Sequence, residues 1–289
     1  MTQPIERHGH RGARGLWPEN TLDGFRQGIA LGLDAIELDV AMTADGIVVV
    51  SHDPALNPDL TRGPDGIWLD RPTPLIRDLP AAALAAYDVG RLRPGTNYAA
   101  GFPEQQPMDG ARIPTLADIF RLPAPIRFNI ETKSFPDHPD WTVPGTVLVN
   151  AVVAAADRAG VTDRIIVQSF DWSGLTRLRQ ARPEIAVSFL TDQRTIAAAR
   201  LWWDGRAAED AGGSVAHAVR AAGGLCWGPH YADLTAATLA EAQVLGLRVI
   251  PWTVNATEDM RRLIAWGVDG LITDRPDRLR DILAESDRP

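Results

Sequence analysis

Strand-like and helix-like segments alternate along almost the whole sequence, and that alternation predicts a parallel sheet covered by helices. Two further observations narrow the prediction. The β/α units number close to eight, and a length of 289 residues suits one α/β barrel. The expected fold is a (β/α)8 TIM barrel forming a single domain over residues 1–289, with an open doubly wound sheet as the alternative.

Glu6–Gly9 reads as a first short strand. Leu22, Phe25, Ile29 and Leu33 then fall at helical spacing, with Asn20 or Thr21 available as the cap. Residues 35–41 follow as the second strand, and residues 46–51 as its neighbour or partner. Arg127–Thr132, 165–170, 186–190, 224–227, 249–254 and Gly270–Thr273 continue the series, with helical stretches such as 147–159 and 235–245 between them. Residues 54–112 break the rhythm, holding nine of the 22 prolines and little periodicity. A standard connection is far shorter, so these residues are expected to form a Pro/Gly-rich insertion after the second strand, lying over one end of the barrel. Trp202 and Trp203, followed by the polar stretch 204–213, suggest a second and smaller elaboration.

Composition limits the partners. Lys and Arg total 29 against 37 Asp and Glu, a net charge of −8, with no basic run to follow a phosphate backbone. Nucleic acid and anionic membrane surfaces are therefore not expected partners. No stretch approaches the roughly 18 apolar residues of a spanning helix, so stable membrane insertion is not expected. Cys226 is the sole cysteine, which excludes an intrachain disulfide and a Cys-based zinc site. No secretory signal is visible, so the expectation is a cytoplasmic protein, although a processed periplasmic form would read the same. Oligomeric state is not legible.

The most informative line is Ala35-Ile36-Glu37-Leu38-Asp39-Val40. Strand alternation sends Ile36, Leu38 and Val40 to one face and Glu37 with Asp39 to the other. Burying two such carboxylates is costly unless a cation neutralises them. Phe128-Asn129-Ile130-Glu131-Thr132-Lys133 repeats the arrangement, with Asn129, Glu131 and Lys133 on one face. Three carboxylates at two strand ends make a hard, oxygen-only site suited to one divalent cation, Mg²⁺ or Ca²⁺. His10 closes the first strand and His52 the segment after Gly46, and imidazole is well poised for proton transfer near neutral pH. Arg11 and Lys133 are cations that a bound phosphate needs and an apolar barrel mouth does not.

These residues belong to a longer series: His10-Arg11-Gly12, Pro18-Glu19-Asn20-Thr21, Glu37-Leu38-Asp39, His52-Asp53, Glu131-Thr132-Lys133, Gln168-Ser169-Phe170, Trp252-Thr253-Val254-Asn255 and Thr273-Asp274. In this order they resemble the glycerophosphodiester phosphodiesterase family, from residue 8 to about 277. The resemblance implies a β/α barrel that hydrolyses glycerophosphodiesters to glycerol 3-phosphate and an alcohol. It implies a metal held by Glu37, Asp39 and Glu131, with His10 and His52 as the acid–base pair and Arg11 and Lys133 at the phosphate. It also implies an insertion after the second strand. Trp17 and the 202–213 elaboration depart from the family pattern, and the second bears on substrate specificity.

Weaker expectations attach to other residues. Gln168 and Trp252 are expected to line the pocket, with barrel packing as the alternative for Trp252. Glu19 and Asn20 would support the metal or a histidine, unless Asn20 is a plain helix cap. His230 is a candidate lid or specificity residue. Asp274 reads as the cap of the helix starting near Pro276. His8, His138 and His217 read as surface residues and Cys226 as core. A lysophospholipase D-like enzyme acting on lysophospholipids, served by the additional tryptophans, is the competing activity. A non-catalytic phosphate-ester-binding barrel would be expected to lack one of the five key residues, and a sugar-phosphate isomerase or aldolase would not explain three carboxylates with two histidines.

Overall fold

The computed structural model describes residues 4–123 and 125–286. Its strands are β1 (Glu6–Gly9), β2 (Ala35–Met42), β3 (Val48–Val50), β4 (Arg127–Thr132), β5 (Ile165–Ser169), β6 (Ala186–Thr191), β7 (Cys226–Pro229), β8 (Arg248–Val249) and β9 (Gly270–Thr273). Eight of them run parallel in the order β8-β7-β6-β5-β4-β2-β1-β9, while β3 pairs antiparallel with β2 outside that path. At the ends of the order, Asp269 N donates to Val249 O (3.0 Å), Ile272 N to Pro251 O (3.0 Å) and Val254 N to Ile272 O (2.9 Å). These bonds bring the sheet nearly to closure, so the fold is the barrel and not the open sheet.

Among the described residues the longer helices around it are α1 (Leu22–Ala30), α2 (Gly145–Ala159), α3 (Trp172–Ala181), α4 (Val215–Ala221), α5 (Ala236–Val244), α6 (Thr257–Trp266) and α7 (Pro276–Ser286). Thr21 caps α1, its hydroxyl accepting from Gly24 N at 3.0 Å. The helix stops before Leu33 because Gly32 takes φ +84°, a conformation that ends a helix readily only at glycine. The segment at 46–51 is the hairpin partner of β2. The strand expected over 249–254 is short because Pro251 has no N–H to donate. Even so, Ile250 N and Trp252 N still reach β7 at Trp227 O and Pro229 O.

Alternation along β2 and β4 sorts chemistry radially. Ile36, Leu38, Val40, Phe128 and Ile130 join Phe25, Leu148 and Val152 in the shell between sheet and helices. Burying each such side chain contributes roughly 1.5–3 kcal/mol. The alternate residues Glu37, Asp39, Asn129 and Glu131 are also buried, but they lie outside that apolar shell. Cys226, Ile250 and Ile272 form a separate small apolar cluster with Trp252 packed against it.

Leu56, Ile76 and Leu84 of the proline-rich stretch pack on Ala41 and Val49 of the β2–β3 hairpin. Gln106 N donates to Leu16 O at 2.8 Å, tying the far end of the stretch to the loop after β1. Trp202 and Trp203 are core residues, 2% and 0% exposed, and Trp203 stacks on Trp172 at 4.4 Å. Trp203 is thereby withdrawn from the surface, while Trp202 keeps an edge in the wall of the cleft that also holds His52 and Lys133. Among the described residues no helix is long and apolar enough to cross a membrane.

Candidate active site

Parallel register assembles the site. β2 and β4 pair Glu37 with Asn129 and Asp39 with Glu131, and β5 sets Gln168 beside Glu131. One carboxylate oxygen from each of Glu37, Asp39 and Glu131 lies within 4.8 Å of the other two, and all three residues are buried. Glu37 accepts from Arg11 N (2.9 Å) and from Gln168 Nε2 (3.0 Å). Asp39 Oδ2 accepts from Asn20 Nδ2 (3.0 Å), while Lys133 Nζ donates to Glu131 at 2.5 Å. Asn20, at φ +55°, is therefore a support for Asp39, and the helix cap is Thr21.

The cluster is electrostatically frustrated. Burial, then the charges of Asp39 and Glu131, push the Glu37 carboxyl well above its usual range. Burial raises Glu131 as well, against the opposing pull of Lys133. Asp39 moves down: burial opposes its ionisation, but His52, Arg11 and Lys133 outweigh it. Asp39 Oδ1 is buried and accepts no hydrogen bond, as are Asn129 Oδ1 and Gln168 Oε1. Leaving such acceptors without a hydrogen bond costs about 1–3 kcal/mol each, and Asp39 Oδ1 has only the Lys133 ammonium, 3.7 Å away, to offset this. A hard divalent cation fits this donor set, which holds oxygen atoms only.

The two expected cations are already engaged. Arg11, left-handed at φ +50°, donates to Glu19 at 2.6 Å and sits 3.3 Å from Asp39. Lys133 bridges Glu131 and Asp39, the latter at 3.7 Å. Glu19 supports Arg11 rather than the cluster, and also accepts from the Tyr98 hydroxyl.

Each histidine is held through Nδ1. His10 Nδ1 meets Asp274 Oδ1 at 2.6 Å, leaving Nε2 3.9 Å from Glu37. His52 Nδ1 meets Asp53 Oδ1 at 2.7 Å. Burial, then Arg14, lowers the His10 pKa. Burial with Arg11 and Lys133 pulls His52 to about 4, its side chain being 33% exposed. His52, Glu131, Lys133, Phe170, Trp252 and Trp141 line one cleft of about 390 Å³. Gln168 lies beneath, bonded to Glu37, and His230 packs edge-on against Trp252 at 5.1 Å rather than lining this cleft.

Two expectations need correction. Asp274 is 2% exposed and engaged by His10, Arg14 and Asn255, while Leu279 N bonds to Arg275 O, so α7 is capped from Arg275. His8 is fully buried, with Nε2 3.1 Å from Glu6, because β1 points it into the barrel beside Asn129. His217, its side chain 42% exposed beside Ser214, and His138, exposed and stacked on Trp141 at 3.9 Å, lie at the surface as expected. Sequence reasoning passed over Asp53, Tyr98, Arg14 and Asn255 as partners, although His52-Asp53 and Thr273-Asp274 stand among the motifs.

The comparisons agree with this architecture. The profile of the glycerophosphoryl diester phosphodiesterase family matches residues 10–278. The glycerophosphodiester phosphodiesterase of Caldanaerobacter subterraneus subsp. tengcongensis is 28% identical over 280 residues, covering 95% of this chain and 96% of that one. That of Bacillus subtilis is 30% identical over 277 residues, covering 93% and 83%. A crystal structure from Silicibacter pomeroyi DSS-3, assigned to the same phosphodiesterases, is 36% identical and superposes with a TM-score of 0.89, covering 99% and 95% of the two chains. A parallel barrel with buried carboxylates and flanking histidines places the chain among the phosphoric diester hydrolases. It belongs to the glycerophosphoryl diester phosphodiesterase family, whose members hydrolyse glycerophosphodiesters.

Proposed function

We propose that the chain cleaves glycerophosphodiesters to glycerol 3-phosphate and an alcohol, using one divalent cation, Mg²⁺ or Ca²⁺, and two histidines. The observation that carries this reading is the three buried carboxylate oxygens within 4.8 Å of one another, beside an Asp39 oxygen that accepts no hydrogen bond. Glu37, Asp39 and Glu131 would hold the cation, which when bound neutralises charge developing on the phosphoryl oxygens. Lys133, in the wall of the cleft, and Arg11 behind it add positive charge on the phosphate side. One imidazole takes a proton from the attacking oxygen, and the other delivers one to the departing alcohol. Gln168 orients Glu37, and Trp252 with Phe170 gives the alcohol an apolar wall. We further propose that residues 54–112 are an insertion over the barrel mouth within one domain, consistent with Tyr98 reaching Glu19.

Product analysis on a panel of glycerophosphodiesters, before and after complete chelation and with Mg²⁺ and Ca²⁺ restored separately, tests this reading. Glycerol 3-phosphate should appear, vanish on chelation and return with one of the ions. Activity that survives full metal removal would overturn the site assignment. Including lysophosphatidylcholine beside glycerophosphocholine separates the lysophospholipase D alternative.

A further inference from the structure

Asp274 stands 264 residues from His10 in sequence, yet their side chains meet at 2.6 Å. The reason is register: β1 and β9 pair Gly9 with Thr273 in parallel, so the next residue of each strand lies alongside the other. Asp274 is 2% exposed, and both its oxygens are filled. Oδ1 takes His10 Nδ1 and Arg14 Nε (2.8 Å), and Oδ2 takes Asn255 Nδ2 (2.7 Å). Asn255 grips the same residue a second time, its Oδ1 accepting from Asp274 N at 2.9 Å and from Thr273 Oγ1 at 3.2 Å. Arg14 is clamped in turn by the Tyr98 hydroxyl (3.1 Å), by Gln105 on its carbonyl (2.7 Å) and by the Phe102 ring 4.8 Å away.

We propose that Asp274, locked by Asn255 and Arg14, is a positioning residue that fixes the tautomer and orientation of His10. The proposal rests on the two-histidine reading above and deepens it. A carboxylate contacting an arginine is an acceptor only, so the hydrogen on this imidazole must sit on Nδ1. In the neutral ring Nε2 then carries no hydrogen, and it faces the carboxylate cluster 3.9 Å from Glu37 Oε2. Without Asp274 the ring is free to carry its hydrogen on either nitrogen and to rotate away from the productive arrangement. His52 has an equivalent pair, Asp53 and Asn57, but from its own loop, with Asn57 Nδ2 donating to Asp53 Oδ2 at 2.6 Å. Each histidine thus carries an Asp–Asn support, one local and one built across the β1–β9 pairing.

The alternative is that Asp274 only fastens β9 to β1. Kinetics of Asp274→Asn, His10→Ala and the double variant distinguish the two, together with melting temperatures. The expected result is a loss in kcat of about 10²- to 10⁴-fold for Asp274→Asn with KM unchanged within a few-fold, and no further loss when it is added to His10→Ala. Nitrogen-15 NMR of histidine-labelled, unliganded protein should show His10 protonated on Nδ1 in the wild type and a mixture of tautomers in Asp274→Asn. If Asp274→Asn does not fold, Asn255→Ala carries the test, with a smaller loss that again disappears in the His10→Ala background. A loss of only a few-fold in Asp274→Asn, or losses that multiply in the double variant, would overturn the proposal while leaving the function intact. Activity retained by His10→Ala would instead sink the two-histidine reading itself.

Discussion

Glu37 shows how one residue can be bad for the fold and good for the site. It is 1% exposed, and its carboxyl is pushed well above the ordinary range by burial and by two neighbouring acids. Glutamine is its neutral isostere. Glu37→Gln should therefore raise the melting temperature of the chelated protein, by about 2–4 °C for each kcal/mol of relieved repulsion, while abolishing the response to Mg²⁺ or Ca²⁺. Differential scanning calorimetry with and without chelator measures both, and a destabilised, still metal-responsive variant would contradict the ligand assignment. The histidines answer to kinetics: His10→Ala and His52→Ala should each lose on the order of 10²–10⁴-fold in kcat if each moves a proton. Losses of a few-fold in both would defeat that role.

Strand β1 carries a charged cluster of its own. Glu6 bonds His8 (3.1 Å) and pairs with Arg127 and Arg248 (2.6 Å each), joining β1 to β4 and β8. Burial raises its pKa, but these partners outweigh it and bring the group from 4.5 to about 2. A folded-state pKa below the unfolded one stabilises above the unfolded value, and the contribution disappears as pH falls through the folded value. Glu6 should thus contribute up to about 3 kcal/mol at neutral pH, lost between about pH 5 and pH 2. Urea unfolding of Glu6→Gln against wild type should show a stability gap at pH 7 that narrows as pH drops toward 3. A gap independent of pH would mean that the ion pairs contribute nothing. The same strand explains why His8 was misread: its burial depends on which way β1 faces, and four residues are too few for alternation to show.

At the scale of the molecule, the barrel brings three carboxylates of β2 and β4 together beside Arg11 and Lys133. A ligand that binds the folded state alone stabilises it by mass action, about 2.7 kcal/mol at a hundredfold excess over its dissociation constant. Thermal unfolding of the chelated protein should therefore shift upward with added Mg²⁺ or Ca²⁺ in a concentration-dependent way, and an unmoved transition with both ions would argue that the carboxylates hold no metal. The proline-rich stretch takes part at this scale too, since Tyr98, Phe102 and Gln105 hold Arg14, which touches Asp274.

The sequence by itself determined the series of β/α units and the acidic face, because both rest on local periodicity: alternation within β2 and β4 fixes which residues share a face, whatever the rest of the chain does. It also carried both histidines, each at the end of its segment. Only the tertiary structure decided what supports them. Asp274 had looked like a helix cap because it sits two residues before α7, and Asn20 competed with Thr21 for the same role at α1. Their true partners, His10 and Asp39, come from other turns of the barrel. Register between β1 and β9 and burial of the ring edges are properties of closure, and no window of sequence short enough to be periodic contains them.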